Sequence, residues 1–380
     1  MPAPVRILHL VGAMNVGGVE TWLMQVLRSM DPKEFKMDYC CLSGERGAFA
    51  PEIEALGGHV FPYKVTNNLV AFKQWFRRLL REGKYRVVHS HVHHFSGTIL
   101  HLAAQEGVPI RIAHSHTTRD GKKSTTVRKL YRALQQYRIR QEATAAVGAS
   151  ELAAAALFGQ GWRSDSRCRI IRCGIDLSLF ALPVDRSAVR QSLGLPEESK
   201  VIGYVGRFEV EKNCGFLLDI FKEALARRPD IRLLLVGDGS LRPGLEERIR
   251  ELGLSAGVVL AGWRSDVAEV MIGAMDFFCL PSHYEGLGVA VVEAQAAGLP
   301  CLVSEGVPRE AAIVPSLVSF LPRAAGAAAW AEVIDQKLGN HRMDPSTAGA
   351  AIRNKGFDVE QSLQALKHLY QPSGTFGEAG

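Results

Sequence analysis

Cysteine spacing gives little to work with in this chain of 380 residues. Its seven cysteines are odd in number, scattered, and contain no C-x-x-C. That excludes a disulfide framework and a cysteine-built metal knuckle, and leaves them as reduced packing residues. Long apolar runs are also missing. The longest stretches are strand-length or broken by charge, and the Ala-rich run near Ala153 is bounded by Glu151 and Gly159. No membrane-spanning helix is expected. Met1–Arg6 leads straight into a strand pattern, so the expectation is no signal peptide and a cytoplasmic location. No H-E-x-x-H occurs, so no metal is expected. No motif interleaving aromatic and basic residues accompanies the positive charge, which argues against nucleic acid as a partner.

Apolar residues make up 47% and charged residues 22%, ordinary for a globular protein. The length exceeds one ordinary core and suggests two domains. The net charge of +6 is unevenly spread: residues 1–185 hold 25 Lys/Arg against 15 Asp/Glu, and the remainder 20 against 24. Arg119, Lys122, Lys123, Arg128, Lys129, Arg132, Arg138 and Arg140 face Asp120 alone, and Lys73, Arg77, Arg78, Arg81, Lys84 and Arg86 face Glu82. Such fields attract membrane anions or phosphorylated substrates, and the bland alternative is a solvated helix face.

Strand and helix patterns alternate almost throughout, which argues for an α/β fold with parallel sheets. Strands are expected at 6–11, 37–42, 59–63, 87–91, 110–114, 144–147 and 169–171. The pattern restarts at 201–205 and continues at 232–236, 258–261, 277–280, 301–304 and 317–321. The mixed stretch 176–200 reads as the junction, which gives two Rossmann-like domains facing across a cleft, 1–175 and 176–356. A last amphipathic helix, about 357–371, has Leu363, Leu366 and Leu369 at core spacing and is expected to pack back on the first domain. The tail from Pro372 is Gly/Ser-rich and reads as disordered.

In such sheets ligands bind beyond the carboxyl ends of the strands, and four polar clusters fall there. Gly12 to Glu20 opens the first helix, and Gly17 and Gly18 let the backbone approach a ligand. That loop is not G-x-G-x-x-G, and a plain tight turn is the alternative. Arg207 and Lys212 follow the first strand of the second half. Together they suit a diphosphate without a metal, unless Arg207 merely pairs with Glu209 or Glu211. His89, His91, His93 and His94, with His114 and His116 on the next strand, line the cleft or are structural. Trp263 and Arg264 follow another strand. There Trp263 packs a base, or is a buried aromatic beside a helix cap at Ser265 or Asp266. The most informative stretch is Pro281–Ala297. A buried strand precedes it, Gly286 and Gly288 open a helix, and Glu285 and Glu293 stand eight residues apart.

Together these residues resemble family 4 of the retaining glycosyltransferases, with the two-domain GT-B fold, and within it the capsule and exopolysaccharide branch. The likeness runs along nearly the whole chain. It rests on Ile7-Leu8-His9 through Thr21, Val88–His91, Arg111–His116, Gly203–Arg207 with Lys212-Asn213, Leu234–Gly239 and Pro281–Glu293. The resemblance implies that Arg207 and Lys212 hold the diphosphate, with backbone N–H groups of Gly286, Leu287, Gly288 and Val289. It implies Glu285 on the donor sugar, Glu293 on ribose hydroxyls, Gly18 against the phosphates and His116 on the sugar, with His114 a rival. Cys173 stands where the family usually has Asn, which removes the polar group expected there. The implied activity is metal-independent transfer of a hexose or N-acetylhexosamine from a nucleotide sugar, a UDP-sugar by family habit. The acceptor would be a glycan or a lipid-linked glycan, and no cofactor is expected. A nucleotide-sugar epimerase and a non-catalytic glycan-binding subunit stay open as alternatives. The basic Arg119–Arg140 segment adds the expectation of peripheral docking on the anionic inner face of a membrane.

Overall fold

The structure is a computed structural model and describes residues 3–15, 17–66, 68–117, 125–339 and 342–371. Arg119, Lys122, Lys123 and the tail from Pro372 lie outside the described residues. The chain divides into two compact units, residues 1–174 with 359–380, and residues 175–358.

The first unit is built on a seven-stranded sheet in the order β3-β2-β1-β4-β5-β6-β7. Its strands are β1 (Val5–Val11), β2 (Phe35–Cys41), β3 (Val60–Pro62), β4 (Val87–Ser90), β5 (Ile110–Ser115), β6 (Ala145–Gly148) and β7 (Cys168–Ile170). Every pairing in it is parallel. Near-continuous apolar strands such as β1 are what a sheet covered on both faces requires. Helices supply the cover, including Gly18–Ser29, which buries Trp22, Leu23, Met24 and Val26. The last helix, Val359–Tyr370, belongs to this unit. The Trp22 indole N–H donates to Ser362 Oγ at 3.1 Å, and Tyr370 is fully buried with its hydroxyl 2.8 Å from His89 Nδ1.

The second unit carries a six-stranded sheet in the order β10-β9-β8-β11-β12-β13. Its strands are β8 (Lys200–Val205), β9 (Ile231–Val236), β10 (Val258–Gly262), β11 (Phe277–Leu280), β12 (Cys301–Val303) and β13 (Val318–Phe320), again all parallel. All thirteen strands fall where the sequence pattern puts them, within two residues at each end. β-branched and leucine runs of strand length, punctuated by glycine, leave little room for another reading.

Topology decides where a ligand can sit. In each sheet the strand order reverses once, between β1 and β4 in the first unit and between β8 and β11 in the second. At such a switch point the two following loops leave in opposite directions, and a crevice opens at the carboxyl ends.

Candidate active site

At the switch point of the second unit the loops after β8 and β11 are stitched together. The His283 backbone N–H donates to the Glu211 carbonyl at 2.7 Å. The Asn213 side-chain amide donates to the Pro281 carbonyl at 3.3 Å. Asn213 adopts a left-handed conformation, φ 56°, at the start of the helix Cys214–Arg227, a region that asparagine tolerates better than most residues.

This stitching brings Lys212 and Glu285 together from positions 73 apart. Lys212 Nζ lies 2.7 and 2.8 Å from the two carboxylate oxygens of Glu285, and both side chains are largely buried. Ser282, fully buried, donates its hydroxyl to the same carboxylate at 2.7 Å. The backbone N–H of Glu285 is held by the Gly306 carbonyl at 2.9 Å. A buried ion pair is costly unless its remaining polar atoms are satisfied, and Ser282 serves that end. Arg207 stands at the same strand end but is exposed, and it donates to Glu211 at 3.1 Å. That is the surface pairing left open by the sequence. Its backbone carbonyl is fixed by the Tyr204 hydroxyl at 2.9 Å.

Gly288 begins the helix Val289–Ala296 with φ 84°, a conformation a side chain would strain. The helix is seated by Gln295, fully buried, whose amide donates to the Val291 and Ala311 carbonyls and whose oxygen accepts from Val314 N–H. Glu293 is part-buried on this helix, and burial pushes its carboxyl up to about 7. Gly237 packs the neighbouring β9 loop against β8: a β-carbon there would lie 2.0 Å from the Gly206 carbonyl oxygen. After β10, Trp263 is exposed rather than buried. Asp266 does not cap the next helix with its side chain, and its carboxylate is taken by Arg264, whose Nε donates at 2.7 Å.

In the first unit the strand ends gather five histidines: His9 on β1, His89 and His91 at β4, His114 and His116 at β5. His9 Nδ1 lies 3.0 Å from His91 Nε2, and His91 Nδ1 lies 2.8 Å from His116 Nε2. His116 Nδ1 meets the Cys173 thiol at 3.5 Å. A second line runs from the Tyr370 hydroxyl through His89 to His114 Nδ1, 3.1 Å from His89 Nε2. A neutral imidazole has one donor and one acceptor, so each line is consistent when all tautomers point one way, and His9 Nε2 and His114 Nε2 are left buried at the ends without a partner among the described residues. Desolvation by burial lowers His9 and His116 to about 3, and His89, His91 and His114 well below their usual range. All five are neutral at physiological pH. Ring nitrogens of His9, His89 and His91, and of His91, His114 and His116, lie within 4.8 Å of one another, a spacing open to a divalent ion.

His114 is completely buried, with its ring edge-on to Trp22, so the expectation of His114 as a ligand contact does not fit its position. His116, like His91, is part-exposed and so stays open to a ligand where His114 does not. Gly17 caps the first helix with extended backbone, φ −160°, and the Glu20 carboxylate folds over it; Gly18 is the helix's first residue.

The geometry missed by sequence reasoning is long-range. Ser282, Gln295 and Tyr370 carry no local signal. Cys173 restores a polar contact at the position where the sequence seemed to remove one.

Two family models cover most of the chain: "Glycosyl transferase 4-like domain" over residues 17–174 and "Glycosyl transferases group 1" over residues 185–351. The chain is 33% identical over 373 residues to a putative glycosyltransferase EpsF of Bacillus subtilis (strain 168), with 97% of each chain covered. It is 26% identical to an Escherichia coli UDP-Gal:alpha-D-GlcNAc-diphosphoundecaprenol alpha-1,3-galactosyltransferase, over 79% of each. Among solved structures, Anabaena Alr3699/HepE in complex with UDP and glucose superposes with a TM-score of 0.78. There the identity is 19%, over 96% of this chain and 98% of that one.

Proposed function

Because the chain belongs to family 4 of the glycosyltransferases and has their GT-B fold, we propose that it moves a hexose or N-acetylhexosamine from a UDP-sugar to a glycan acceptor of a cell-surface polysaccharide pathway, the acceptor being lipid-linked, with retention of configuration. The observation that carries this reading is the Lys212–Glu285 pair at the β8/β11 switch point, with Arg207 at the same strand end and the Gly288 helix start beside it. A UDP donor is supported by the E. coli relative, named for UDP-Gal, and by the UDP held in the HepE structure. A diphosphoundecaprenol-linked acceptor is in the name of the same relative.

The chemistry follows from charge. Breaking the bond between the anomeric carbon and the phosphate oxygen sends the electron pair to the leaving diphosphate and leaves positive charge on the sugar. Arg207, Lys212 and the helix start stabilise the developing anion. Glu285, released from Lys212 by the incoming phosphates, is placed to hold donor-sugar hydroxyls, and Glu293 those of the ribose. The backbone N–H groups of Gly286, Leu287, Gly288 and Val289 complete the donor site, with Trp263 beside the base. The family resemblance adds His116 for the sugar and Gly18 for the phosphates. The acceptor hydroxyl attacks the face that the leaving group vacates and loses its proton to the departing phosphate.

A thermal-shift panel of nucleotide sugars, followed by transfer assays with polyprenyl-diphosphate glycans, tests the reading. A UDP-sugar should raise the melting temperature, and its sugar should appear in an acceptor product. Turnover of a nucleotide sugar without any acceptor would point instead to an epimerase, and no shift with any nucleotide sugar would refute the donor site.

A further inference from the structure

The helix Thr126–Glu142 is anchored thinly. Of its seventeen residues only Gln135 and Ile139 are buried. Its inner side packs closely on the helix Ser96–Gln105: a β-carbon on Gly97 would lie 2.5 Å from the Gln135 carbonyl oxygen, and the Thr98 hydroxyl donates to the Gln135 side chain at 3.1 Å. The outer side is bulky and apolar. Val127, Leu130, Leu134 and Tyr137 are 79%, 73%, 48% and 60% exposed. Steps of three, four and three residues put them in one row along one face. Lys129 and Arg140 are exposed beside the row, and no acidic residue occurs in the helix before Glu142.

Single exposed apolar residues are ordinary, but a continuous row of four marks a surface that meets something. Three of the four cations of the other basic helix, Leu69–Gly83, are instead held in ion pairs: Arg78 with Glu82, and Arg77 and Arg81 with Glu106. We propose that the outer face of Thr126–Glu142 is a membrane-docking surface that lies in the headgroup layer of an anionic bilayer. The apolar row enters the boundary with the acyl chains, while Lys129 and Arg140 meet lipid phosphates. A second copy of this face would set cations against cations, whereas a bilayer offers anionic and apolar contact in one plane. The inference stands apart from the proposed transfer reaction, because lipid binding is read without turnover.

The experiment is co-sedimentation of the full chain with vesicles of equimolar phosphatidylglycerol and phosphatidylcholine, and with phosphatidylcholine alone, across a salt series. The wild type should pellet with the anionic vesicles and be released as salt rises. Leu130→Ser with Leu134→Ser should weaken the partition coefficient by about tenfold or more, since each loses a buried apolar side chain. Lys129→Glu with Arg140→Glu should abolish the preference for anionic lipid. Both pairs should keep the wild-type melting temperature. Tyr137→Trp should show a blue-shifted emission with anionic vesicles only. Equal binding to both vesicles, binding to neither, or unchanged binding by the leucine variant would overturn the proposal. A dimer in light scattering that is lost on Leu130→Ser would overturn it in favour of a second copy.

Discussion

Lys212 and Glu285 form a largely buried pair in the candidate site, whereas Arg207 at the same strand end is exposed and pairs with Glu211 at the surface. This difference separates two variants that sequence alone would treat alike. Arg207→Ala should lower kcat/KM by about 2 kcal/mol, the scale of losing one preorganised charge contact, with the melting temperature unchanged. Lys212→Ala should lower turnover similarly and also destabilise the fold, because Glu285 is left largely buried with Ser282 as its remaining side-chain partner. Steady-state kinetics and melts of both variants check this, and wild-type turnover by Arg207→Ala would remove it from the donor site. Glu293 gives a pH signature. Its carboxyl sits near 7 rather than the usual 4.5, so the folded state holds a proton that the unfolded state has released. Stability therefore falls as pH rises from about 4.5 to 7 and is flat above. Glu293→Gln should remove that loss and be more stable than the wild type above neutrality, by about 2 kcal/mol. It should also weaken nucleotide binding, since an ionised carboxylate accepts both ribose hydroxyls. Identical pH profiles of melting for the two proteins would refute the assignment. Spacing and flanking glycines were enough to single out Glu285 and Glu293 as candidates. Ser282 and Gln295 were not, because their partners are set by tertiary contact.

At the scale of elements, three adjacent strand ends hold five histidines in two hydrogen-bonded lines. Parallel register sets His9 opposite His89 and His89 opposite Ile112, so His91 and His114 stand two residues further along and His116 four. Burial holds them neutral, with values far below 6.5. The unfolded chain protonates them first as pH falls. Their contribution is therefore complete above about 6.5 and is lost progressively below it. Acid melts followed by fluorescence of Trp22, whose ring lies edge-on to His114, should show the first unit losing stability through the histidine range. A profile flat down to the carboxylate range would contradict this. Sequence reasoning saw the alternation His89–His91–His93 and the pair His114 and His116. It did not see His9, Cys173 or Tyr370 as members, since the lines exist only once β1, β4 and β5 are side by side and the last helix is docked.

For the whole molecule the expected chemistry is metal-independent, since in the proposed site Arg207, Lys212 and a helix start would provide the charge neutralisation that a divalent ion supplies elsewhere. Transfer assays with excess chelator should proceed undiminished, and NMR of the product should show the donor's anomeric configuration kept. Loss of turnover restored by magnesium or manganese would contradict the first, and inversion the second. No described helix is long and apolar enough to cross a membrane. What the sequence by itself determined is the alternation of strands and helices, the GT-B class, and the strand ends at which the polar clusters stand. These are local properties: apolar periodicity sets strand length, and glycine and proline set the breaks. Only the tertiary structure decided strand order, and with it which loops become neighbours. Lys212 reaches Glu285 because β8 and β11 are adjacent at a switch point, His114 is sealed while His116 stays reachable, and Cys173 closes on His116. The row of Val127, Leu130, Leu134 and Tyr137 could equally have faced a core. Which face of an amphipathic helix is buried depends on what the fold packs against it, and here the fold left that row uncovered.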